Sequence, residues 1–269
     1  MVKNKIGKLI GVSLGPGDPG LITRHAWELL QDPSIYWTYP IRNKKSDSYA
    51  LDIVLRAGLQ LPAGHCPLIF PMTHDKEKLA KYWLAAAETV SKILHTGQDV
   101  AFLVEGDAST YSTFNHLART VTAMDERVVI EVIAGVPSFN AAAARLQTTL
   151  ADVDDTVAIF PAGYGITMID NLLHDFDTLV LLKVKPLLDD IIDLLAQRDL
   201  LQHARFIEKA GTLEERIVTD VATLRGEKVN YLSLMLVKNP QRQRGEITRG
   251  CRKKTNSTDE NITLETVDA

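Results

Sequence analysis

Short, mostly apolar runs recur along the chain, and between them lie stretches with apolar residues at helical spacing. Residues 9–13 (Leu9-Ile10-Gly11-Val12-Ser13), 35–39, 67–70, 100–104 and 128–133 predict buried strands. Residues 78–94 predict a long helix: Leu79, Trp83, Ala86, Ala87, Val90 and Leu94 repeat every three or four positions and so share one face. Residues 138–146 predict a second helix, with Ser138 as its N-cap and Ala141 to Ala144 along its length. Strands alternating with helices indicate an α/β class built on a largely parallel sheet.

The texture changes after Thr148. Residues 150–155 are polar and acidic, as in a boundary loop, and a second series of strands is predicted at 156–160, 178–182, 205–208 and 231–237, with an amphipathic helix at 187–195. From Gln241 onward Arg, Lys, Thr, Asn and Glu dominate, which predicts a flexible polar tail. Its Arg252-Lys253-Lys254 run reads as solvated surface. The expected organisation is an N-terminal α/β domain at 1–149, a C-terminal α/β domain at 150–240 and a tail at 241–269.

Composition narrows the function. The 269 residues carry 30 Lys+Arg against 34 Asp+Glu, a net charge of −4, which argues against a general nucleic-acid binder. Cys66 and Cys251 are far apart with no C-x-x-C spacing, excluding a disulfide scaffold or cysteine zinc site and fitting a reducing cytoplasm. The N-terminal apolar run is broken by Gly11 and has no cleavage site, so it does not read as a signal peptide. No apolar stretch approaches the ~18–20 residues of a membrane span. His74 is alone and reads as a surface or helix-start residue; no dedicated metal-ligand spacing is present. The expectation is a soluble cytoplasmic protein with no nucleic-acid, membrane or metal partner.

Gly15-Pro16-Gly17-Asp18-Pro19-Gly20 follows the first strand and matches the G-x-G-x-x-G pattern of dinucleotide sites. Its chemistry opposes that reading. The fingerprint works through backbone N–H groups aimed at a pyrophosphate. Pro16 and Pro19 have none, and Asp18 adds negative charge. After the second strand, Tyr39-Pro40-Ile41-Arg42-Asn43 offers no acid for a ribose. The loop is a stiff turn, with or without a ligand against it.

A second loop, Glu105-Gly106-Asp107-Ala108-Ser109-Thr110-Tyr111-Ser112, follows the strand at 100–104. Ligands of parallel sheets bind beyond the carboxyl ends of the strands, which places Glu105 and Asp107 at a ligand position; alternatively Asp107 caps a helix starting near Ser109. A third loop, Ala134-Gly135-Val136-Pro137-Ser138, ends the strand at 128–133. Together these loops predict a cleft that holds carboxylates and lacks lysines or arginines in its Gly-rich parts, suited to a cofactor with a cationic centre and hydroxyls.

As a set these stretches resemble the tetrapyrrole methylases, enzymes of cobalamin and sirohaem synthesis. The matching segments are Gly11 to Pro19, Phe70-Pro71-Met72, Glu105-Gly106-Asp107 through Tyr111-Ser112-Thr113, Val136-Pro137-Ser138-Phe139 with Ala141 to Ala144, Ile207-Glu208-Lys209-Ala210-Gly211 to Arg216-Ile217-Val218, and Tyr231 to Met235. They run in order over about residues 7–239. Within the family they most resemble the branch that methylates C(20) of precorrin-2.

The resemblance implies two α/β domains with S-adenosylmethionine, the methyl donor, in the cleft between them, a tetrapyrrole substrate and a homodimer. By position, the cofactor contacts would be Pro16, Gly106, Asp107, Pro137, Ser138, Lys183 or its neighbour Leu182, Ala210 and Ser233, with the first loop facing the tetrapyrrole. Asp107 would position the cofactor through its ribose or amino group. Tyr111 is the candidate for assisting proton loss, or else packs against the ring or the core. Arg42, Lys44 and Lys45 are either the cations for the substrate's acetate and propionate arms or a solvated run. Two departures stand out: Ala108 where the family has proline, expected to leave that turn less rigid, and Pro137, which removes an N–H and a hydroxyl. The other readings are methylation at another ring position and a non-catalytic relative.

Overall fold

The structure, a computed structural model, describes residues 5–245. The first half forms a sheet of five parallel strands, β1 (Leu9–Ser13), β2 (Tyr36–Ile41), β3 (His65–Ile69), β4 (Val100–Val104) and β5 (Ile130–Ile133), in the order β3-β2-β4-β1-β5. Both faces are covered, which explains why the strands read as continuous apolar runs. One face carries Leu9, Val100, Phe102 and Val104 against α3 (Lys76–Leu94) and α4 (Phe114–Met124), through Val90, Leu94, Phe114, Leu117 and Val121. The other carries Ile10, Val12, Ala101 and Leu103 against Ala26 and Leu30 of α1 (Arg24–Leu30) and Ile53 and Val54 of α2 (Tyr49–Arg56). Each Val, Leu, Ile or Phe among them contributes about 1.5–3 kcal/mol on burial.

Side-chain caps set the helix starts. Thr23 accepts the Ala26 N–H at 3.3 Å, Ser48 the Leu51 N–H at 3.3 Å and Asp75 the Lys78 N–H at 3.1 Å, so α3 begins before the first apolar repeat. His74, just ahead of that cap, is exposed.

The second sheet contains β6 (Val157–Pro161), β7 (Thr178–Leu182), β8 (Ala204–Glu208), β9 (Arg216–Val218) and β10 (Ser233–Lys238) in the order β6-β7-β10-β8-β9. Only β6 and β7 pair in parallel; β10 is inserted antiparallel between β7 and β8, and β9 is antiparallel to β8. The largely parallel expectation holds for the first sheet alone. Two helices, α6 (Ile166–Asp175) and α7 (Leu188–Gln197), cover Leu179, Leu181, Phe206, Met235 and Val237. The opposite face, with Val180, Ile207, Leu234 and Leu236, receives Ala142 and Ala143 of α5 (Ser138–Arg145). The alanines let α5, which follows the first sheet in the chain, lie close against the second.

Three local expectations need correction. Pro137, not Ser138, stands at the cap position of α5, without a side-chain bond; its carbonyl accepts the Asn140 N–H at 3.1 Å. No helix starts near Ser109, since α4 begins at Phe114. The start of the predicted tail is held in place: Arg242 and Arg244 both pair with Asp177, and Arg244 and Lys238 pair with Asp155. Cys251 and Arg252-Lys253-Lys254 lie outside the described residues.

Candidate active site

Because β4, β1 and β5 are adjacent and parallel, the loops that follow them leave the sheet side by side. Gly15 and Gly106 exchange backbone bonds, N–H to carbonyl at 3.2 and 2.8 Å, tying the first loop to the second. Gly106 takes φ +78°, a left-handed conformation that other residues adopt only under strain. At Gly135 a Cβ would lie 2.4 Å from the Ser13 Cβ and 2.9 Å from the Gly106 carbonyl oxygen, so only glycine permits the third loop to sit there.

Asp107 joins the second and third loops. One carboxylate oxygen accepts the Ser109 N–H at 2.9 Å and the Ser109 hydroxyl; the other accepts the Gly135 N–H at 2.8 Å. Burial raises its pKa, but the Ser109 side chain and the two N–H donors outweigh it and hold Asp107 below the usual carboxylate range. Next to it, the N–H of fully buried Ala108 donates to Ser13 Oγ at 2.9 Å. A proline could not make that bond, so the turn expected to be looser is fixed by a different device.

The loops face the carboxyl ends of β7 and β8 and the start of β10 across a cleft of about 900 Å³ of atom-free space, part of it open to solvent. Pro16, Gly106, Asp107, Tyr111, Pro137, Ser138, Leu182, Lys183, Ala210 and Ser233 all line it. Sequence reasoning had not singled out Thr110, Lys209, Tyr231, Leu232 or Leu234 as site residues, although they line the same cleft. A lysine directly after each of two strands was the available signal for Lys183 and Lys209. Both take left-handed backbone, φ +57° and +50°, and donate their N–H groups to Ser233 and Leu232 carbonyls at 2.8 and 2.7 Å. Tyr111 is left-handed as well, φ +50°. Strain of this kind, about 1–3 kcal/mol per residue, collects at functional sites.

The polar groups on the walls differ in their partners. Tyr111 spans the cleft, its hydroxyl donating to the Ile159 carbonyl of β6 at 3.2 Å. Lys183 lies over the Tyr231 ring, 5.6 Å from its centroid, and Lys209 pairs with Glu214 at 2.5 Å. Ser233 Oγ is buried without a hydrogen-bond partner. The carboxyl of Glu105 is pushed up to about 7 by burial, against the opposing charge of Arg42.

Arg42, Lys44 and Lys45 lie on the exposed turn after β2, the Arg42 guanidinium 5.9 Å from the Tyr49 ring centroid. Among the described residues no cluster of three or more His, Cys, Asp or Glu is placed to hold a metal ion, and no helix is long and apolar enough to cross a membrane.

Comparison with known proteins converges on one family. The model of the tetrapyrrole (corrin/porphyrin) methylases matches residues 8–225. The cobalt-precorrin-2 C(20)-methyltransferase of Salmonella typhimurium is 34% identical over 82% of this chain and 86% of its own. The precorrin-2 C(20)-methyltransferase of a Sinorhizobium species is 28% identical over 86% of this chain and 95% of its own. Among solved structures, the uroporphyrin-III C-methyl transferase of Thermus thermophilus complexed with S-adenyl homocysteine superposes with a TM-score of 0.56 at 22% identity, covering 86% of this chain and 97% of that one; this likeness is one of fold.

Proposed function

We propose that this chain, which belongs to the tetrapyrrole (corrin/porphyrin) methylase family, transfers a methyl group from S-adenosylmethionine to C(20) of precorrin-2 or its cobalt-containing counterpart, a step of cobalamin biosynthesis. The observation that carries the reading is the match, over most of both chains, to proteins named for that one activity. Cobalt, where present, arrives with the substrate.

The cleft suits the donor. When bound, S-adenosylmethionine supplies an electrophilic methyl group on a sulfonium centre. Ser233 Oγ is a buried hydroxyl in need of a partner, and a ribose or amino group of the cofactor provides one. Leu182, Ile207, Leu234 and Phe139 offer an apolar wall to a flat base. No atom lies within 4 Å of where a Gly106 Cβ would project, leaving that backbone open to a ligand. Pro16, Gly106, Asp107, Pro137, Ser138, Lys183, Ala210 and Ser233 are accordingly the proposed cofactor contacts. Asp107 contributes mainly by tying its own loop, through Ser109, to Gly135 of the third loop. The chain's task is then to hold the substrate carbon in line with the methyl group, about 3–3.5 Å from it, and to exclude water.

The Tyr111 hydroxyl donates its hydrogen bond to the Ile159 carbonyl, which favours a role in closing the cleft over one in proton loss. Arg42, Lys44 and Lys45 are the cations we assign to the substrate's carboxylate arms. A cytoplasmic homodimer fits the family. The non-catalytic reading rests on the altered second and third loops, at Ala108 and Pro137; the Ser13 bond, which orders the second loop, speaks against it.

The test is anaerobic incubation of the protein with S-adenosylmethionine and either precorrin-2 or its cobalt form, read by mass. A gain of one methyl group on either substrate supports the reading. A folded protein that binds S-adenosylhomocysteine and methylates neither overturns it.

A further inference from the structure

We propose that Glu105 takes up the proton that the tetrapyrrole carbon sheds as it is methylated. This inference rests on the methyl-transfer reading above and assigns its missing base. Glu105 is the first residue beyond β4 and adjoins Gly106 on the wall of the cleft that Pro16 and Tyr111 also line. Among the described residues no hydrogen bond or ion pair reaches its carboxyl; the one charge that acts on it is that of Arg42, from the turn after β2. Asp107, two positions along, has both oxygens occupied by protein donors. A carboxyl withdrawn from water without a partner costs stability. Its placement where the cofactor loop meets the cationic rim gives that cost a use.

The step balances as follows. The new carbon–carbon bond uses an electron pair of the substrate, and the sulfur keeps the pair of the broken sulfur–carbon bond. The substrate is left with a positive charge, which is cancelled when its carbon–hydrogen pair returns to the conjugated ring and the proton passes to a Glu105 oxygen. The open side of the cleft then returns the proton to solvent. A carboxylate raised toward neutrality is a stronger base than an ordinary one and is still partly ionised near neutral pH. The other titratable groups on the cleft wall are Asp107, Tyr111, Lys183, Lys209 and Tyr231. Hydrogen bonds hold Asp107 low and the Glu214 bond holds Lys209 high, so both titrate farther from neutrality than Glu105.

The experiment is single-turnover methylation by wild type, Glu105→Gln and Glu105→Asp across about pH 5.5–9, with S-adenosylhomocysteine affinity measured calorimetrically on each. In the wild type the rate should rise with pH to a plateau, with the midpoint of the rise near the Glu105 value of about 7. Glu105→Gln should be slower by about 100-fold or more, with that limb gone and affinity within a few-fold of wild type. Glu105→Asp should retain the limb at a reduced rate. A Gln variant with wild-type rate and pH profile overturns the proposal. So does a greater than tenfold affinity loss in both variants, which would make Glu105 a cofactor ligand. Wild type that turns over beside such variants isolates the failure to Glu105; wild type that methylates nothing refutes the methyl-transfer reading itself.

Discussion

The Ser13 hydroxyl accepts the N–H of Ala108 at 2.9 Å, and both residues are fully buried. The bond ties the end of β1 to the loop after β4, where the Gly15–Gly106 pairing continues the connection. Ser13→Ala leaves a buried N–H without its acceptor, and the expected loss is about 1–3 kcal/mol. Ala108→Pro in the Ser13→Ala background removes the orphaned donor and should recover part of that loss. A double-mutant cycle in urea checks both, with a coupling energy of about 0.5 kcal/mol or more expected for groups in contact.

Tyr111 and Ile159 make the corresponding link across the cleft. Tyr111→Phe should weaken S-adenosylhomocysteine binding several-fold while leaving the pH limb of methylation in place, because the lost bond spans the cleft and is worth about 0.5–1.5 kcal/mol. Calorimetry and the pH profile of one variant measure both. Disappearance of the limb in Tyr111→Phe would restore Tyr111 as the residue that assists proton loss.

The proposed role of the rim cations in holding the substrate's carboxylate arms is tested through substrate binding, with the charge of Arg42 also felt by Glu105. Replacing Arg42, Lys44 and Lys45 with glutamine should raise substrate KM about tenfold at low ionic strength and flatten its dependence on salt, since exposed charges are screened within about 8–10 Å at physiological salt. Affinity for S-adenosylhomocysteine should change little. Steady-state kinetics at two salt concentrations distinguish this from a solvated run, which would leave KM unmoved.

Asp177 predicts an acid-sensitive anchor. Burial raises its pKa, but the Thr156 N–H, Arg244, the Thr156 hydroxyl and Arg242 more than offset that and hold it well below the usual range. With the folded-state pKa depressed, the stabilisation is complete above the unfolded value of about 3.9 and is lost as pH falls toward the folded value. Arg242→Ala should cost about 1.5–3 kcal/mol, the worth of a hydrogen bond to a charged group. Its difference from wild type should shrink as pH drops below about 4. Thermal melts across pH provide the check.

The parts of the site that depend on local chemistry were legible in the sequence. Gly106, Asp107 and Pro137 stand at strand ends, and such positions announce a ligand cleft in a parallel sheet. The long helix α3 was legible because 19 residues give its apolar face many repeats, whereas α1 with 7 and α2 with 8 give too few; α5, also of 8, was legible from its run of alanines rather than from repeats. A strand of three residues, β9, carries almost no pattern. The features that arise from tertiary contact were hidden: α5 packing on the second sheet, the Tyr111–Ile159 bond, and the left-handed backbone of Lys183 and Lys209. The antiparallel insertion of β10 was hidden for the same reason, because an apolar run does not state its direction.

The most direct measurement of the central claim is carbon-13 NMR of the product formed anaerobically from precorrin-2, or its cobalt form, and S-adenosylmethionine carrying a carbon-13 methyl group. A single labelled methyl resonance assigned to C(20) is the predicted result. A labelled methyl at any other ring position would contradict the account.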